Sequence, residues 1–301
     1  MLQKGYSKSF TLALIATAGS IGVIIPPSIP MVVYGVSTST SISSLFMAGF
    51  LPGLLIGASL ILMSYIYCRR HGWKGDDRRY TFREKMEAIW DAKWALINPI
   101  IILGGIYAGV FTPTEAAAVA AVYAFICGVF IYRELDFKQL FGTLGSACST
   151  TGTTMVIIGC ATAFTRILTI EKIPDTITTG ILNFSDNMIV ILLLINLLLL
   201  VVGCFMDTTP AMMVLSPILL PIAMQFGVDP IHFGLIMVVN LAIGFITPPL
   251  GINLFVAARV GGSSLETVCS GIIKFILVMI LDLLLITFIP GISMILPNTF
   301  M

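Results

Sequence analysis

The chain has 301 residues, of which 57% are hydrophobic and only 10% are charged, and its formal net charge is +1. A soluble domain carries roughly 25% charged residues, so this composition excludes a water-facing surface and indicates lipid as the solvent. The small net charge gives no support to nucleic-acid binding. The six cysteines and two histidines have no metal-binding spacing, so no haem, zinc or other cofactor is predicted.

The apolar segments predict an all-α integral membrane protein. About 20 apolar residues are needed to cross about 30 Å of hydrocarbon, and several segments approach that length. Two of the segments, the first and the eighth, are interrupted by glycine and proline near their middle. In chain order the segments are 9–36, 42–68, 94–111, 116–132, 140–170, 188–205, 211–224, 231–258 and 267–289.

One stretch, residues 69–93, holds half of all the Lys and Arg residues, including Arg78 and Arg79. The positive-inside rule therefore predicts that it is cytoplasmic. Within it, residues 80–94 have the pattern of an amphipathic helix at the membrane interface, which predicts contact with lipid. The polar stretch 171–187 is predicted to be external.

Two short apolar arms, residues 188–205 and 211–224, are joined by a polar tip. Arms this short favour a re-entrant hairpin over two full spans. Asp207 lies at the tip and has two interpretations, since an acidic group at membrane depth is usually functional. The structural alternative is helix capping, with Thr209 as the N-cap and Pro210 in the first helical position.

Residues 1–52 align without gaps with residues 223–274, at an offset of 222. Both copies contain Ile-Gly-x-Ile-x-Pro-Pro within an apolar segment. Five predicted crossings separate the two starts, and an odd number inverts the second copy. Inverted repeats with discontinuous helices are typical of secondary transporters. The predicted parts are the rest of a first repeat (1–68), a basic loop with an interfacial helix (69–93), connecting spans (94–187) and a second repeat (188–301).

The two breaks predict ion and substrate sites. Proline lacks an N–H, so each Pro-Pro pair frees backbone carbonyls, which survive in a membrane only within protein or beside a wet cavity. Free carbonyls suit a hard cation such as sodium, and the opposing helix N-terminus suits an anion. The second copy follows a hairpin, whereas the first begins at Met1. We therefore expect the chain to lack its first hairpin and the helices before it.

Several stretches resemble the large membrane subunit of tripartite ATP-independent periplasmic (TRAP) transporters. They are Gly-Ile-Tyr-Ala-Gly-Val-Phe-Thr-Pro-Thr-Glu-Ala-Ala at 105–117 and the segments 25–35, 229–234 and 246–254. The resemblance implies an elevator-type sodium symporter for an organic acid in the bacterial inner membrane. It also implies two partners, a small membrane subunit and a periplasmic substrate-binding protein. The permease sequence does not show which acid is carried.

The resemblance and the breaks together give the candidate residues. Predicted sodium ligands are Gly203, Asp207, Thr208, Thr247, Pro248, Asn253, Gly22 and Pro26. Predicted substrate contacts are Ser28, Pro27, Thr209 and Pro249. Arg166 has two interpretations, an end-of-helix side chain that reaches towards water and a contact for an anionic substrate. Asp282 also lies in an apolar segment and has no assigned role.

Three residues outside the breaks are predicted helix caps. Thr112 and Glu115, on either side of Pro113 and Thr114, fit a capping box, and Asp229 precedes Pro230 as an N-cap should. Ser7 is the counterpart of Asp229 in the first copy.

Two other classes of function stay open. An intramembrane enzyme needs a nucleophile–base pair or a motif such as H-E-x-x-H, and the sequence contains no such motif. A truncated membrane fragment or an assembly subunit that does not itself transport is the stronger alternative, because we expect the chain to lack its first hairpin.

Overall fold

The computed structural model describes residues 1–74, 81–171 and 187–300, and every regular element among them is helical. The helices before residue 172 are α1 (Lys8–Ile21), α2 (Ile29–Thr38), α3 (Ile42–Arg70), α4 (Phe82–Asp91), α5 (Lys93–Tyr107), α6 (Pro113–Ile126, continued by a π-helical turn at Cys127–Ile131) and α7 (Phe137–Ile170). The remaining helices are α8 (Met188–Phe205), α9 (Thr208–Gln225), α10 (Pro230–Gly244), α11 (Ile252–Val260), α12 (Leu265–Phe288) and α13 (Gly291–Phe300).

Polar residues start these helices where the sequence predicts. The Ser7 hydroxyl accepts a hydrogen bond from the Phe10 N–H, and the Asp229 carboxylate accepts from the Ile231 N–H at 2.7 Å. A helix is present as α4 in the part of the basic stretch that the structure describes, and its location at the membrane interface stays a prediction. Arg78, Arg79 and most of the predicted external stretch lie outside the described residues. Helix α13 is absent from the predicted elements.

The chain divides into two compact units. Unit 1 comprises residues 1–75 and 160–301, and unit 2 comprises residues 76–159, so the boundary falls within α7. The predicted connecting spans, residues 94–187, are therefore shared between the units. In unit 2, α5 and α6 pack together, and the Tyr123 hydroxyl donates a hydrogen bond to the Trp94 carbonyl at 2.8 Å.

Unit 1 is built from the two repeats. Helices α10, α11 and α12 of the second copy follow α1, α2 and α3 of the first at the predicted offset, to within one residue at their starts. The contacts exchange as a two-fold relation requires: α1 packs on α11 and α12, while α10 packs on α2 and α3. Every residue from His232 to Gly244 is buried, so α10 forms the centre of this unit.

The equivalent helices α3 and α12 run antiparallel. The Lys274 ammonium lies 4.0 Å from the centre of the Tyr67 ring, and the Ser59 hydroxyl lies 2.8 Å from an Asp282 carboxyl oxygen. Residue numbers thus fall along α3 as they rise along α12. This arrangement is the one that an inverted repeat predicts.

Six helices among the described residues are long and apolar enough to span a membrane, or seven if the bent pair α4 and α5 forms one span. The fold is therefore that of a multi-pass membrane protein. Each hairpin arm, α8 and α9, has 18 residues, which is about 27 Å at 1.5 Å per residue. The second arm begins at Thr208, earlier than predicted, so arm length does not require re-entrance, and the re-entrant hairpin stays a prediction.

The capping box of α6 is confirmed. The Glu115 N–H donates to the Thr112 hydroxyl at 3.3 Å, and the Thr112 N–H donates to the Glu115 carboxylate at 2.8 Å. We expect Thr112→Ala to lower the free energy of unfolding by about 1 kcal/mol, since an N-cap contributes about that much. Thermal unfolding in detergent measures the effect. Thr114→Ala, an exposed change in the same turn, is the control; equal losses in both variants would contradict the capping role.

Candidate functional site

Both repeated motifs break a helix, as predicted. Residues 22–28 separate α1 from α2, and residues 245–251 separate α10 from α11. The Pro26–Pro27 and Pro248–Pro249 peptide bonds are both cis. Each break therefore places a helix C-terminus near a helix N-terminus within one copy.

The second break is hydrogen-bonded to the hairpin. The Leu250 N–H donates to the Cys204 carbonyl at 3.3 Å, near the end of α8. Within the break, the Asn253 N–H donates to the Phe245 carbonyl at 3.0 Å, and the Thr247 hydroxyl donates to the Ile243 carbonyl at 2.8 Å. These bonds satisfy backbone groups that the break would otherwise leave without a hydrogen-bond partner.

A glycine pair brings the hairpin close to the second break. A Cβ atom on Gly244 would overlap the Gly203 carbonyl group, and a Cβ atom on Gly203 would lie 3.3 Å from the Gly244 Cα. The predicted ligand Gly203 thus has a packing role, since small residues allow helix backbones to approach closely in membranes.

A cavity of about 420 Å³ lies between the hairpin tip and the second break. The cavity is lined by residues of the hairpin tip and by residues on both sides of the second break: Gly203, Met206, Asp207, Gly244, Phe245, Leu250, Gly251, Ile252, Phe255 and Val256. Asp207 is the charged side chain in this lining. The structure therefore brings two of the predicted ligands, Gly203 and Asp207, to one cavity.

Asp207 corrects the structural alternative given for the tip. Its side chain is exposed in the structure, and it caps α9 by accepting a hydrogen bond from the Thr208 N–H at 2.7 Å. The alternative with Thr209 as the N-cap was wrong. Proline is tolerated in the first turn, where N–H groups lack helical partners, so the helix begins before Pro210 and the carboxylate caps it. The second carboxylate oxygen can still bind a cation.

Other predicted residues lie near the cavity without lining it. The Asn253 amide N–H donates to the Ala16 carbonyl at 3.0 Å, which ties the second break to α1 of the first copy. The Thr208 hydroxyl is buried and has no hydrogen-bond partner among the described residues, so it fits a ligand role. The remaining three, Thr209, Pro248 and Pro249, are half-buried or exposed.

The first break differs from the second. The Ser28 hydroxyl donates to the Val23 carbonyl and accepts from the Met31 N–H, so this buried side chain caps α2. Pro26 is buried, whereas Gly22 and Pro27 are exposed. A Cβ atom on Gly22 would meet the Gly19 carbonyl at an ordinary 3.4 Å. Among the described residues, the first break has no hairpin packed on its glycine.

A buried polar chain, which was not predicted from the sequence, joins the hairpin to the second copy. The Asn240 amide donates to Asn196 at 2.7 Å, the Asn196 amide donates to the Thr287 hydroxyl at 3.0 Å, and a His232 ring nitrogen lies 3.2 Å from the Thr287 carbonyl. The usable signal was an asparagine within each of two otherwise apolar helices, because such residues need a partner in hydrocarbon.

Arg166 and Asp282, two charged residues in predicted apolar segments, differ in burial. Arg166 is exposed on α7. Asp282 is buried on α12, where the Ser59 hydroxyl contacts one of its oxygens.

Inverted repeats with broken helices, and a hairpin packed on one break, define a secondary-transporter architecture. The family of the DctM component of tripartite ATP-independent periplasmic transporters matches residues 1–292, and the chain belongs to this family.

Similar proteins share most of this chain. It is 49% identical to the isethionate TRAP transporter permease protein DctMQ of Oleidesulfovibrio alaskensis, over 98% of this chain and 46% of that protein. It is 41% identical to the C4-dicarboxylate large permease DctM of Pseudomonas aeruginosa, over 99% of this chain and 70% of that protein. It is 38% identical to the sialic acid large permease SiaM of Vibrio cholerae, over 98% and 69%. The chain thus spans about half of the first protein and about 70% of the other two.

The glycine pair gives a prediction with a control inside the repeat. We expect Gly244→Ala to destabilise the protein by about 1–3 kcal/mol, the usual cost of overpacking. Gly22→Ala is the matched change, because its position is helical (φ −63°) and has room for a methyl group. Thermal unfolding in detergent compares them. Equal stability of the two variants would show that the hairpin backbone at Gly203 does not pack against Gly244.

The buried polar chain predicts coupling between Asn196 and Asn240. We expect either single alanine variant to lose about 1 kcal/mol, the scale of interhelical hydrogen bonds in membranes. The double variant should lose less than the sum, because the first change already removes the shared bond. Strict additivity in the double-mutant cycle would contradict the contact.

Proposed function

We propose that the chain is the transport subunit of a TRAP system that couples sodium entry to organic-acid uptake across the bacterial inner membrane. The supporting observation is the convergence of four helix ends on one cavity. Gly203 and Gly244 line the cavity near the C-termini of α8 and α10. Asp207 and Ile252 line it at the N-termini of α9 and α11.

This arrangement can bind both charges of a symport. Helix C-termini carry partial negative charge, and with the Asp207 carboxylate they favour a cation. Helix N-termini favour an anion. Helix α11 begins at Ile252, and its N-cap Gly251 has no side chain that could cap it. The Asn253 N–H is bonded to the Phe245 carbonyl, so the attraction proposed for an organic acid is that of the positive end of the helix dipole. Asp207 and Thr208 are the proposed sodium ligands with oxygen atoms in their side chains, with Asn253 and Thr247 from the break.

The relatives support the substrate class. Their names give isethionate, C4-dicarboxylate and sialic acid, all of which are organic anions. The family name describes a tripartite periplasmic system, so we propose a small membrane subunit and a periplasmic substrate-binding protein as partners. Movement of unit 1 as an elevator, with the hairpin tip inside the membrane, is part of this proposal.

Asp207 provides the test. Asn caps helices as well as Asp does, so Asp207→Asn should keep the cap and lose the charge. We expect this variant to lose sodium-dependent uptake of labelled organic acid in proteoliposomes that also hold the small subunit and the binding protein. Asp229→Asn, at a second aspartate N-cap, should leave sodium dependence unchanged.

A second measurement does not depend on transport. Sodium that binds the folded state raises its thermal midpoint, whereas an equal concentration of choline does not. We expect this rise in the original chain and in Asp229→Asn, and not in Asp207→Asn. Unchanged sodium stabilisation in Asp207→Asn would overturn the assigned site. Sodium binding without uptake in any combination of partners would favour the alternative, a membrane or assembly subunit that does not transport.

A further inference from the structure

A groove runs between α3 and α12, away from the proposed transport site. Its volume is about 550 Å³, and both helices line it with residues spaced three and four apart, which is one face of each helix. On α3 this face runs from Ser59 to Arg70, and on α12 it runs from Lys274 to Leu285.

The antiparallel packing gives the groove two different ends. Lys274 lies over the Tyr67 ring, and Arg70 lines the groove one helical turn after Tyr67. This end of the groove therefore has two cationic side chains. Ser59 and Asp282 lie at the other end. Lys274 and Asp282 are eight positions apart, which is about 12 Å along the helix at 1.5 Å per residue. Since the basic residues after α3 predict a cytoplasmic location, the cationic end lies at the cytoplasmic side.

The middle of the groove is apolar and open to the outside of unit 1. Leu62 is 60% exposed, Leu277 is 56% exposed and Leu281 is 62% exposed. In a membrane-spanning helix pair, such a surface contacts hydrocarbon. The groove therefore has two cations, Arg70 and Lys274, at its end and apolar side chains along its middle. This arrangement complements a molecule with an anionic head and an acyl chain.

We propose that this groove binds one anionic phospholipid of the cytoplasmic leaflet. Arg70 and Lys274 hold the phosphate, because basic residues near the membrane surface attract anionic headgroups. An acyl chain lies along Leu62, Leu277 and Leu281. A helix from another protein would fill the apolar channel equally well, but it would not need the two cations at its end.

The positions of the cations fix the depth of the headgroup. Arg70 and Lys274 are the cationic side chains of the lining, and both are at the outer end. The inner end, at Ser59 and the buried Asp282, has no cation among the lining residues, so the anionic head stays at the outer end. The lipid therefore enters with its chain towards the middle of the membrane.

Native mass spectrometry of the purified chain tests the site with phosphatidylglycerol. We expect Arg70→Gln with Lys274→Gln to weaken binding about thirtyfold, about fivefold for each cation. Arg69→Gln is the matched control, because the neighbouring Arg69 lines a different cavity. Lys274→Arg should retain binding. Leu281→Trp, which fills the channel, should also weaken binding, and the thermal midpoint confirms that each variant is folded.

Several outcomes would overturn the site. Equal losses in Arg69→Gln and in the double variant would show diffuse attraction to a basic surface. Equal and charge-independent binding of phosphatidylethanolamine would show that the headgroup charge is not recognised. Competition by inorganic phosphate at the same concentration would show an anion site without a lipid chain, and full binding by Leu281→Trp would remove the chain from the groove. Because Lys274 also packs on Tyr67, Arg70→Gln alone, with an expected fivefold loss, serves if the double variant does not fold.

Discussion

The contact between the hairpin and the second break is the constraint on which the candidate site depends. A helix that is broken within a membrane frees backbone groups, and each unsatisfied group costs several kcal/mol in hydrocarbon. Here the hairpin satisfies one of them directly, since the Leu250 N–H donates to the Cys204 carbonyl. The bond requires the two backbones to be close, and the glycines at 203 and 244 permit that approach. The same closeness brings Asp207 to the cavity.

The repeat explains why both copies support this site. Each broken helix packs on the second half-helix of the other copy and on the helix after it, so neither break is supported by its own copy alone. The Asn253 side chain bonds the second break to α1 of the first copy. Helix α10, which is buried from His232 to Gly244, packs on α2 and α3 of the first copy. The polar chain through Asn196 and Asn240 adds specific bonds to this packing, where hydrophobic burial gives no preference for one neighbour over another.

Sequence patterns were sufficient for features that depend on local chemistry. The helix breaks, the offset of the repeat and the caps at Ser7, Thr112 and Asp229 follow from proline, glycine and side-chain acceptors at fixed spacing. The cap of α9 was misassigned, because Asp207, Thr208 and Thr209 are consecutive polar residues that could each cap a helix, and sequence spacing does not decide between them. Contacts between distant helices, such as Asn196 with Asn240 or Ser59 with Asp282, depend on the register of packed faces. A single sequence does not specify that register.

The two breaks share a motif but differ in their surroundings, and this difference ranks them as sites. At the second break, Gly244 has no room for a side chain because the hairpin lies against it, and Leu250 uses its N–H to bond the hairpin. At the first break, a Cβ atom on Gly22 would make one ordinary contact with the Gly19 carbonyl, and Ser28 uses its hydroxyl within its own copy. A pair of free carbonyls binds a cation well only when other oxygens complete its shell and water is excluded. Among the described residues, only the second break has a neighbouring element that supplies a carboxylate and closes a cavity. The ion chemistry proposed for this chain therefore depends on the hairpin as much as on the broken helix.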